Sequence, residues 1–359
     1  MRTTTKLALA IVSAVAIMSL TFAVPSGADI GVSTIPLITF GTVFLTSASA
    51  SETSPRFSEP VAIAAGNSHV WIANYNGNSV TELDANSGSL VRVIKNRADG
   101  LQAPDGITYA SGHIWVTDSY SDSVTELDAN SGSLVRVIKN RADGFATPSA
   151  IAVSGPDVWI TNSSNDSVTE LRANNGSLVR VVKNRSDGFN DPDGVAVSHS
   201  NVWITNYSGN SLTVLNAHDG SLVRLIDSKA ADILEPGPIS SSASSTWVTN
   251  PVDSSVTELS ATKGDVIKTL HSRGYQFSTP IGIAVCNSDV WVTNEVGNSL
   301  TEIAAGSNAL IRNVRSAKFS FESPGPIACI GSRVWVINTV GSSITVLDSV
   351  SGSLIRVVK

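Results

Sequence analysis

The chain reads VWIANYNGNSVTELDANSGSLVRVI from Val70 to Ile94, and stretches of the same pattern return along it at a fixed interval. Counted from tryptophan to tryptophan, the interval is 44 residues. All seven tryptophans of the chain occupy this position: Trp71, Trp115, Trp159, Trp203, Trp247, Trp291 and Trp335. Two of the copies, Ser79–Gly100 and Ser123–Gly144, are identical over 22 residues. A strict period of about 40–50 residues is typical of propellers and solenoids.

Each unit contains four short segments that are rich in β-branched residues and bounded by turn residues. In the first unit, the predicted strands are Val61–Ala65, Val70–Asn74, Ser79–Asp84 and Ser89–Ile94. Helical repeats are excluded because no long stretch has apolar residues three to four positions apart. A β-helix is less favoured because its coils are shorter. The sequence therefore predicts an all-β fold, a seven-bladed β-propeller with four antiparallel strands per 44-residue blade, over residues 51–359.

The tryptophans are expected to pack between blades, because alternate residues of a strand point toward the blade before and the blade after. The last unit ends at Lys359 together with its fourth strand, so no strand exchange between the termini is expected. Ring closure is then predicted to rest on side chains of blades one and seven, with the segment Ser51–Glu59 as an alternative contributor.

Residues 1–50 have a different composition from the repeats. Arg2 and Lys6 precede an uncharged apolar run, Leu7–Val24, and small-residue triplets end at Ala28 and Ala50. This pattern predicts a signal peptide cleaved after one of those two alanines. An uncleaved membrane anchor is the alternative, because a run of this length just spans a bilayer. Both interpretations place residues 51–359 outside the cytoplasm, as a secreted or cell-surface protein.

The composition limits the partners. Charged residues make up 15% of the chain and the formal net charge is −6, so there is no electrostatic reason to expect nucleic acid or an anionic membrane as a partner. A hydrophobic content of 42% is enough to build a core, which argues against disorder. The five histidines show no metal-binding spacing, and no haem, nucleophile-elbow or phosphate-loop motif is present. We expect a monomer.

Four strands read WITN or WVTN, at Trp159, Trp203, Trp247 and Trp291, and NSVTEL and GSLVR elements follow in the repeat. These elements resemble the YVTN-type β-propeller repeats, close relatives of NHL repeats, over residues 57–359, with tryptophan in place of the usual tyrosine. The resemblance implies an exported or surface-displayed propeller, often a binding or scaffold module. The run Pro104–Ile107 together with Trp115–Asp118 also resembles streptogramin-lyase propellers, which implies a lyase as an alternative.

Three aspartates are candidates for a site at the mouth of the central channel. Asp105 and Asp193 follow the repeat proline, where the innermost strand begins, and Asp118 replaces the asparagine that the other six copies carry. Carboxylates with backbone carbonyls are suitable ligands for Ca²⁺ or Mg²⁺. The alternative is that an aspartate before glycine only caps a turn. No other cofactor is expected.

Basic residues recur in the links between blades. They are Lys95, Arg97, Lys139, Arg141, Lys183 and Arg185. Such a cationic arc over blades one to four would attract an acidic glycan or a carboxylated substrate. Asp99, Asp143 and Asp187 follow two residues later and are expected to offset much of the charge.

Glutamates on the third strand are expected to face basic residues on the fourth, as Glu82 would face Arg92. The same pairing is predicted for Glu126, Glu170, Glu258 and Glu302 with Arg136, Arg180, Lys268 and Arg312. Where valine replaces the glutamate, Arg224 and Arg356 lack that partner and are expected to face solvent or a binding partner.

The two cysteines, Cys286 and Cys329, fall in the innermost strands of blades six and seven, one register position apart. They therefore project from opposite sheet faces. Either they point toward each other and form a disulfide, which export favours, or they point apart as two small buried side chains.

These features predict an exported propeller that acts as a binding or scaffold module for a protein or a cell-surface glycan. One alternative is a lyase or hydrolase with a metal-assisted site at the axial mouth. A structural cell-surface component is another alternative, because similar blades with Ser-, Thr- and Asn-rich surfaces would suffice for it.

Overall fold

The computed structural model describes residues 57–95 and 100–359. The predicted signal peptide or anchor at residues 1–50 lies outside these ranges, and so do Ser51–Arg56, Arg97 and Asp99. Within the two described ranges, no helix has the length and apolar character needed to cross a membrane.

The repeats form seven antiparallel sheets of four strands, and in every sheet the strands are neighbours in chain order. Blades 1 to 3 comprise β1 (Pro60–Gly66), β2 (His69–Asn74), β3 (Ser79–Asp84) and β4 (Leu90–Ile94); β5 (Pro104–Ala110), β6 (His113–Asp118), β7 (Ser123–Asp128) and β8 (Leu134–Ile138); and β9 (Pro148–Ser154), β10 (Asp157–Asn162), β11 (Ser167–Arg172) and β12 (Leu178–Val182). The strands predicted for the first repeat agree with β1 to β4 to within one residue at each end.

Blades 4 to 7 comprise β13 (Pro192–Ser198), β14 (Asn201–Asn206), β15 (Ser211–Asn216) and β16 (Leu222–Asp227); β17 (Ile239–Ser241), β18 (Ser245–Asn250), β19 (Ser255–Ser260) and β20 (Val266–His271); β21 (Pro280–Cys286), β22 (Asp289–Asn294), β23 (Ser299–Ala304) and β24 (Ala309–Val314); and β25 (Pro324–Ile330), β26 (Arg333–Asn338), β27 (Ser343–Asp348) and β28 (Leu354–Val358). Short helices, α1 (Ser228–Ala231) and α2 (Ser272–Tyr275), lie in the links that follow blades 4 and 5.

The first strands of neighbouring blades contact one another around the ring, and β25 of blade 7 contacts β1 of blade 1. The ring is therefore closed, and the seven-bladed β-propeller predicted from the sequence is confirmed.

The tryptophans pack between blades, as the repeat predicted. All seven are at most 1% exposed. Trp71 of blade 1 lies in one apolar cluster with Ile107, Val116 and Leu127 of blade 2. Burial of an aromatic side chain of this size is among the largest single contributions to a core, so each inter-blade layer is centred on one tryptophan.

The junction of blades 7 and 1, called the seam below, is closed by the same kind of packing. Trp335 of blade 7 clusters with Ile72 and Leu83 of blade 1. Phe57, which precedes the first strand and is only 2% exposed, belongs to the same cluster. The N-terminal segment thus adds one large side chain to the closure by blades 1 and 7.

The predicted glutamate–arginine pairs form in four blades. Glu82 lies opposite Arg92, and the two form an ion pair with 2.8 Å between the Arg92 Nε and the Glu82 Oε2. The equivalent distances for the pairs at Glu126, Glu170 and Glu302 are 2.9, 2.7 and 2.7 Å. The glutamate side chains are only 1% exposed, so these pairs are partly buried.

Blade 5 differs from this prediction. Glu258 lies opposite Lys268, but its carboxylate accepts hydrogen bonds from the Ser245 Oγ at 2.6 Å and the Asn308 Nδ2 at 2.8 Å. These neutral donors, one of them from blade 6, replace the predicted lysine as partners of the carboxylate.

The arginines also connect successive blades. The Arg92 Nη2 donates to the Asn130 carbonyl oxygen in the β7–β8 turn of the next blade, at 2.8 Å. Arg180 and Arg312 reach the corresponding carbonyls of His218 and Val350. Each of these side chains therefore binds its own blade through the glutamate and the next blade through a carbonyl.

Arg224 is exposed to solvent, as expected, but Arg224 and Arg356 also have partners in the following blade. The Arg224 Nη1 donates to the Lys263 carbonyl oxygen and to the Asp265 carboxylate, both at 2.8 Å. The Arg356 Nη2 donates across the seam to the Asn86 carbonyl oxygen at 2.9 Å. Without the glutamate, both arginines still bind the turn of the following blade, which the linear sequence did not reveal.

Cys286 and Cys329 are joined as a disulfide between β21 and β25, with a Cα–Cα distance of 5.8 Å. Their one-position offset brings the two side chains toward each other, because the last residue of one inner strand meets the sixth residue of the next. Blades 6 and 7 are thus linked by this bond in addition to the peptide chain.

Replacement of Arg356 by alanine should weaken the seam. The variant loses a charge-assisted hydrogen bond, and we expect the free energy of unfolding to fall by about 1–2 kcal/mol. Urea denaturation measures this as a lower midpoint at unchanged slope. Arg315→Ala, which truncates an exposed arginine in a link, is the control and should leave the midpoint in place. Equal midpoints for the two variants would contradict a closing function of Arg356.

Alkylation of the unreduced, denatured protein followed by mass spectrometry tests the disulfide. We expect no labelled cysteine before reduction and two after it, because both thiols of the chain are consumed by one bond. Labelling of both cysteines before reduction would show that Cys286 and Cys329 are two separate buried thiols.

Candidate functional site

One end of the propeller, called the link face below, carries two kinds of loop. They are the turns between second and third strands and the links that run from a fourth strand to the next blade. Both lie there because β1 begins beside the end of β2, with Pro60 opposite Asn74. The Tyr75 backbone N–H accordingly donates to the Glu59 carbonyl oxygen at 2.9 Å.

The link face is held by two backbone positions in the left-handed region. The residue before the repeat proline has φ between +46° and +56° in all seven blades, and the last residue of the second-to-third-strand turn has φ between +42° and +54°. In five blades, the side chain of the turn residue accepts a hydrogen bond from the pre-proline N–H of the next blade, at 2.7–2.9 Å. For example, the Asn78 Oδ1 accepts from the Ala103 N–H.

A further set of side-chain hydrogen bonds, called the clamp below, fixes the end of the second strand of a blade. Six blades carry an asparagine there, and its Nδ2 donates to a serine and a threonine of the third strand at 2.9–3.3 Å. These asparagines are Asn74, Asn162, Asn206, Asn250, Asn294 and Asn338. The side-chain oxygen of Asn74 and that of Asn294 also accept from a link N–H.

Asp118 belongs to this clamp and not to the axial rim, so its predicted position is wrong. The side chain is fully buried; its Oδ2 accepts from the Thr125 Oγ1 at 2.6 Å and its Oδ1 from the Gln102 N–H at 3.1 Å. Burial raises the pKa of Asp118 to about 7, while the two hydrogen bonds oppose the shift. The carboxylate therefore holds a link to its blade and is not accessible to a ligand in the channel.

A groove of about 870 Å³ lies on the link face between blades 1 and 2. Its lining residues are Tyr75, Asn76, Asn78, Lys95, Leu101, Gln102, Ala103 and Tyr120. Tyr120, at the tip of the blade 2 turn, is 82% exposed. Tyrosines, amide side chains and one ammonium thus surround a single depression.

Sequence reasoning missed this groove. Tyr120 is the signal that was available, because it breaks the repeat: the other blades carry Asn76, Ser164, Ser208, Val252, Val296 and Val340 at its position. Comparison of turn positions between blades would have singled out Tyr120, but not its proximity to Tyr75, whose position is also occupied by a tyrosine, Tyr207, in blade 4.

The structure places the predicted cationic arc on the link face. Lys95 lines the groove, and Lys139, Arg141, Lys183 and Arg185 are exposed in the links of blades 2 and 3. Arg97 and Asp99 lie outside the described residues.

Asp143 and Asp187, expected to offset the charge of the arc, lie in the 3₁₀ turns that contain Arg141 and Arg185. Both are buried, and their carboxylates accept from the backbone N–H groups of Asn140 and Asn184 at 3.0 and 3.2 Å. They cap these short 3₁₀ turns. The charge offset stays a prediction, because a buried, hydrogen-bonded carboxylate still contributes to the field of the neighbouring basic side chains.

A second cavity, called the axial cup below, occupies the axis of the ring, with a volume of about 280 Å³. The innermost strands line it in three tiers. The first tier comprises Val61, Asp105, Ser149 and Asp193; the second Ala62, Gly106, Ala150, Gly194, Pro238, Gly282 and Pro326; and the third Ile63, Ile107, Ile151, Val195, Ile239, Ile283 and Ile327. A polar mouth therefore lies above a ring of branched aliphatic side chains.

Asp105 and Asp193, predicted at the channel mouth, both line this cup. Burial, followed by the charge of the nearby Asp193, raises the pKa of Asp105 to about 7. Burial, followed by the charge of Asp191, also raises the pKa of Asp193. Gly106 fixes the position of Asp105, because the Thr117 Oγ1 accepts from its N–H at 2.7 Å and a Cβ there would collide with the Ser149 carbonyl.

No group of three or more histidine, cysteine, aspartate or glutamate side chains is arranged to hold a metal ion within residues 57–95 and 100–359. The two histidines in register, His69 and His113, lie at the opposite end of the ring. There the His113 Nδ1 is 2.9 Å from the Glu126 Oε1, and the His69 Nε2 is 3.6 Å from the Glu82 Oε1.

The sequence matches no protein-family model and no curated protein. Solved propeller structures do match. A streptogramin B lyase has 18% identity and a TM-score of 0.66, with 80% of this chain and 92% of the lyase covered. A catalytically inactive virginiamycin B lyase from Staphylococcus aureus with quinupristin has 16% identity and a TM-score of 0.66, with 81% and 95% covered. The hydrazine synthase of Kuenenia stuttgartiensis has 15% identity and a TM-score of 0.69, with 83% and 97% covered. At these identities the likeness shows the fold alone.

Replacement of Asp118 by asparagine should stabilise the protein at neutral and alkaline pH. The pKa of Asp118 is raised from 3.8 to about 7 on folding, so its charge costs stability progressively as the pH rises from about 4 to about 7. Asparagine removes that cost and supplies the Nδ2 donor that six blades use. We expect a gain of about 1–3 kcal/mol at pH 8 and none at pH 4, measured by urea denaturation.

The matched control is Asn162→Asp, which places the same carboxyl in blade 3 and should lower stability at pH 8. If Asp118→Asn left the pH 8 midpoint unchanged, the Asp118 carboxylate would have to be solvated.

Proposed function

We propose that this chain is an exported binding module that holds an acidic carbohydrate in the groove between blades 1 and 2. The observation that carries the proposal is the ring of Tyr120, 82% exposed beside a groove that Lys95 also lines. An exposed tyrosine that supports nothing in the core is an unusual use of an aromatic side chain, because such rings bury most of their area in a fold or an interface.

The chemistry of the lining suits a sugar acid. A tyrosine ring offers an apolar face to the C–H groups of a pyranose ring, and its hydroxyl forms hydrogen bonds at the edge. The amides of Asn76 and Gln102 donate and accept, which matches neighbouring sugar hydroxyls. The Lys95 ammonium supplies the charge that a uronate carboxylate requires, and the arc along blades 2 and 3 extends the same field.

The groove is preorganised. Ala103 is held through its N–H by the Asn78 Oδ1 and through its carbonyl by the Ser119 N–H, and Gln102 is held by the buried Asp118. A ligand would therefore order few backbone groups on binding, which lowers the entropic cost of association.

Export of the chain supports a ligand outside the cytoplasm. The apolar leader of residues 1–50, with its cleavage-like triplets, is the sequence feature that carries this part of the proposal. Cell-wall and capsule polysaccharides that contain uronic acids are the acidic carbohydrates present there.

Isothermal titration calorimetry with trigalacturonate and with neutral cellotriose tests the function. We expect the acidic sugar to bind at least 10-fold more tightly, a difference of about 1.4 kcal/mol. Tyr120→Ala should lower the affinity at least 10-fold, whereas Tyr120→Phe should retain most of it. Lys95→Ala should weaken binding and reduce its dependence on salt.

The matched control is Val340→Ala, which truncates the residue at the same turn position in blade 7 and should leave affinity unchanged. Equal affinities for both sugars, or no effect of Tyr120→Ala, would contradict the proposal. Shortening of the trisaccharide during titration would instead indicate a lyase or hydrolase, and concentration-dependent assembly in light scattering would indicate a structural component.

A further inference from the structure

The axial cup is a second concave site, separate from the groove, and the two share no lining residue. Every blade contributes a side chain to its aliphatic ring, six isoleucines and one valine. A cavity of about 280 Å³ is slightly smaller than the usual range for ligand pockets, so it suits a molecule with few non-hydrogen atoms.

The two carboxylates of the cup lack protein partners. Within residues 57–95 and 100–359, neither Asp105 nor Asp193 has a side-chain hydrogen bond or an ion pair with another residue. Both are half-buried, and each has an acidic neighbour, Asp193 for Asp105 and Asp191 for Asp193. Acidic side chains in such surroundings normally have a cationic partner, because buried charge is costly without one.

The residues that line the axial cup indicate which kind of cation it would bind. Ca²⁺ takes about 6–8 oxygen ligands, and Mg²⁺ requires an octahedral set. Here two carboxylates stand above alkyl groups, and among the described residues no three acidic, histidine or cysteine side chains are arranged to hold a metal ion. An organic ammonium needs fewer anionic contacts, and its alkyl part would bury apolar area against the ring.

We infer that the axial cup binds a small alkylammonium ion, with the charged nitrogen between Asp105 and Asp193 and the alkyl chain on the ring of Ile63, Ile107 and their equivalents. A primary amine with about four carbons fits the volume and the depth of two tiers. This site is independent of the carbohydrate groove.

Binding should be coupled to protons. The carboxyl of Asp105 has a pKa of about 7 in the unliganded protein, because of burial and Asp193. A bound ammonium favours the ionised form, so it lowers that pKa and releases a proton near pH 7. Asp191 and Tyr207 are the other titratable groups that interact with Asp193. Affinity should therefore rise between pH 6 and pH 8, while the ligand amine stays protonated.

Calorimetry of the protein with n-butylammonium chloride tests the site, with n-butanol as the neutral analogue and CaCl₂ and MgCl₂ as the competing kind of ligand. We expect butylammonium to bind at least 10-fold more tightly than butanol, with proton release seen as a dependence of the heat on the buffer. Asp105→Asn and Asp193→Asn should each lower affinity at least 10-fold. Asp118→Asn, a buried carboxyl that does not line the cup, is the matched control and should leave affinity unchanged.

Thermal unfolding of each variant shows that it is folded, and an unchanged or raised midpoint is expected because an unpaired buried charge is removed. No binding of butylammonium, or equal binding of butanol, would overturn the inference. Binding of Ca²⁺ or Mg²⁺ that Asp105→Asn abolishes would also overturn it, in favour of a metal. Tyr120→Ala should not affect butylammonium, so failure of the groove and failure of the cup are distinguishable.

Discussion

No blade of this propeller buries its own tryptophan, and the rest of the structure depends on that constraint. Trp71 is covered only when the sheet of blade 2 lies against it, and Trp335 only when blade 1 closes the ring. Five arginines of the fourth strands also join neighbouring blades, because each donates to a turn carbonyl of the following blade: Arg92, Arg180, Arg224, Arg312 and Arg356. Stability is therefore a property of neighbouring pairs, which is the usual condition of repeat proteins, and seven such pairs fix the width of the axial cup.

The geometry of the link face depends on the contacts between neighbouring blades of this ring. Its turns and links are joined across blades by side chains such as Asn78, which meets a pre-proline N–H of the next blade. Both partners occupy the left-handed region of backbone space, which is costly for most residues and persists only where the surroundings impose it. The groove beside Tyr120 is built on this support, and so is the polar mouth around Asp105. Ligand recognition at either place would use a surface that exists before the ligand arrives.

The period of 44 residues was sufficient to predict the blades, the strand bounds and the place of Asp105 and Asp193, because these follow from position within a repeat. Contacts between repeats were harder to predict. Asp118 breaks the asparagine pattern and so suggested a ligand site at the channel mouth, yet it is a buried variant of a structural clamp. Arg224 and Arg356 have no glutamate partner in their own blade, but each binds a turn carbonyl of the next blade. The groove needs Tyr75 and Tyr120, 45 residues apart in the chain, and the packing of blade 2 against blade 1 brings them together.

The seam differs from the other six junctions in one respect, since no peptide link crosses it, whereas blades 6 and 7 are joined by both a link and the Cys286–Cys329 bond. Opening at the seam separates Trp335 from blade 1 without breaking a covalent bond, and every other junction remains tethered. Export, as proposed above, would expose the protein to proteases without a chaperone to restore it, so its lifetime would depend on the rate of such opening as well as on its equilibrium stability. Phe57 and Arg356, which hold the seam, would then lower the rate at which the ring opens.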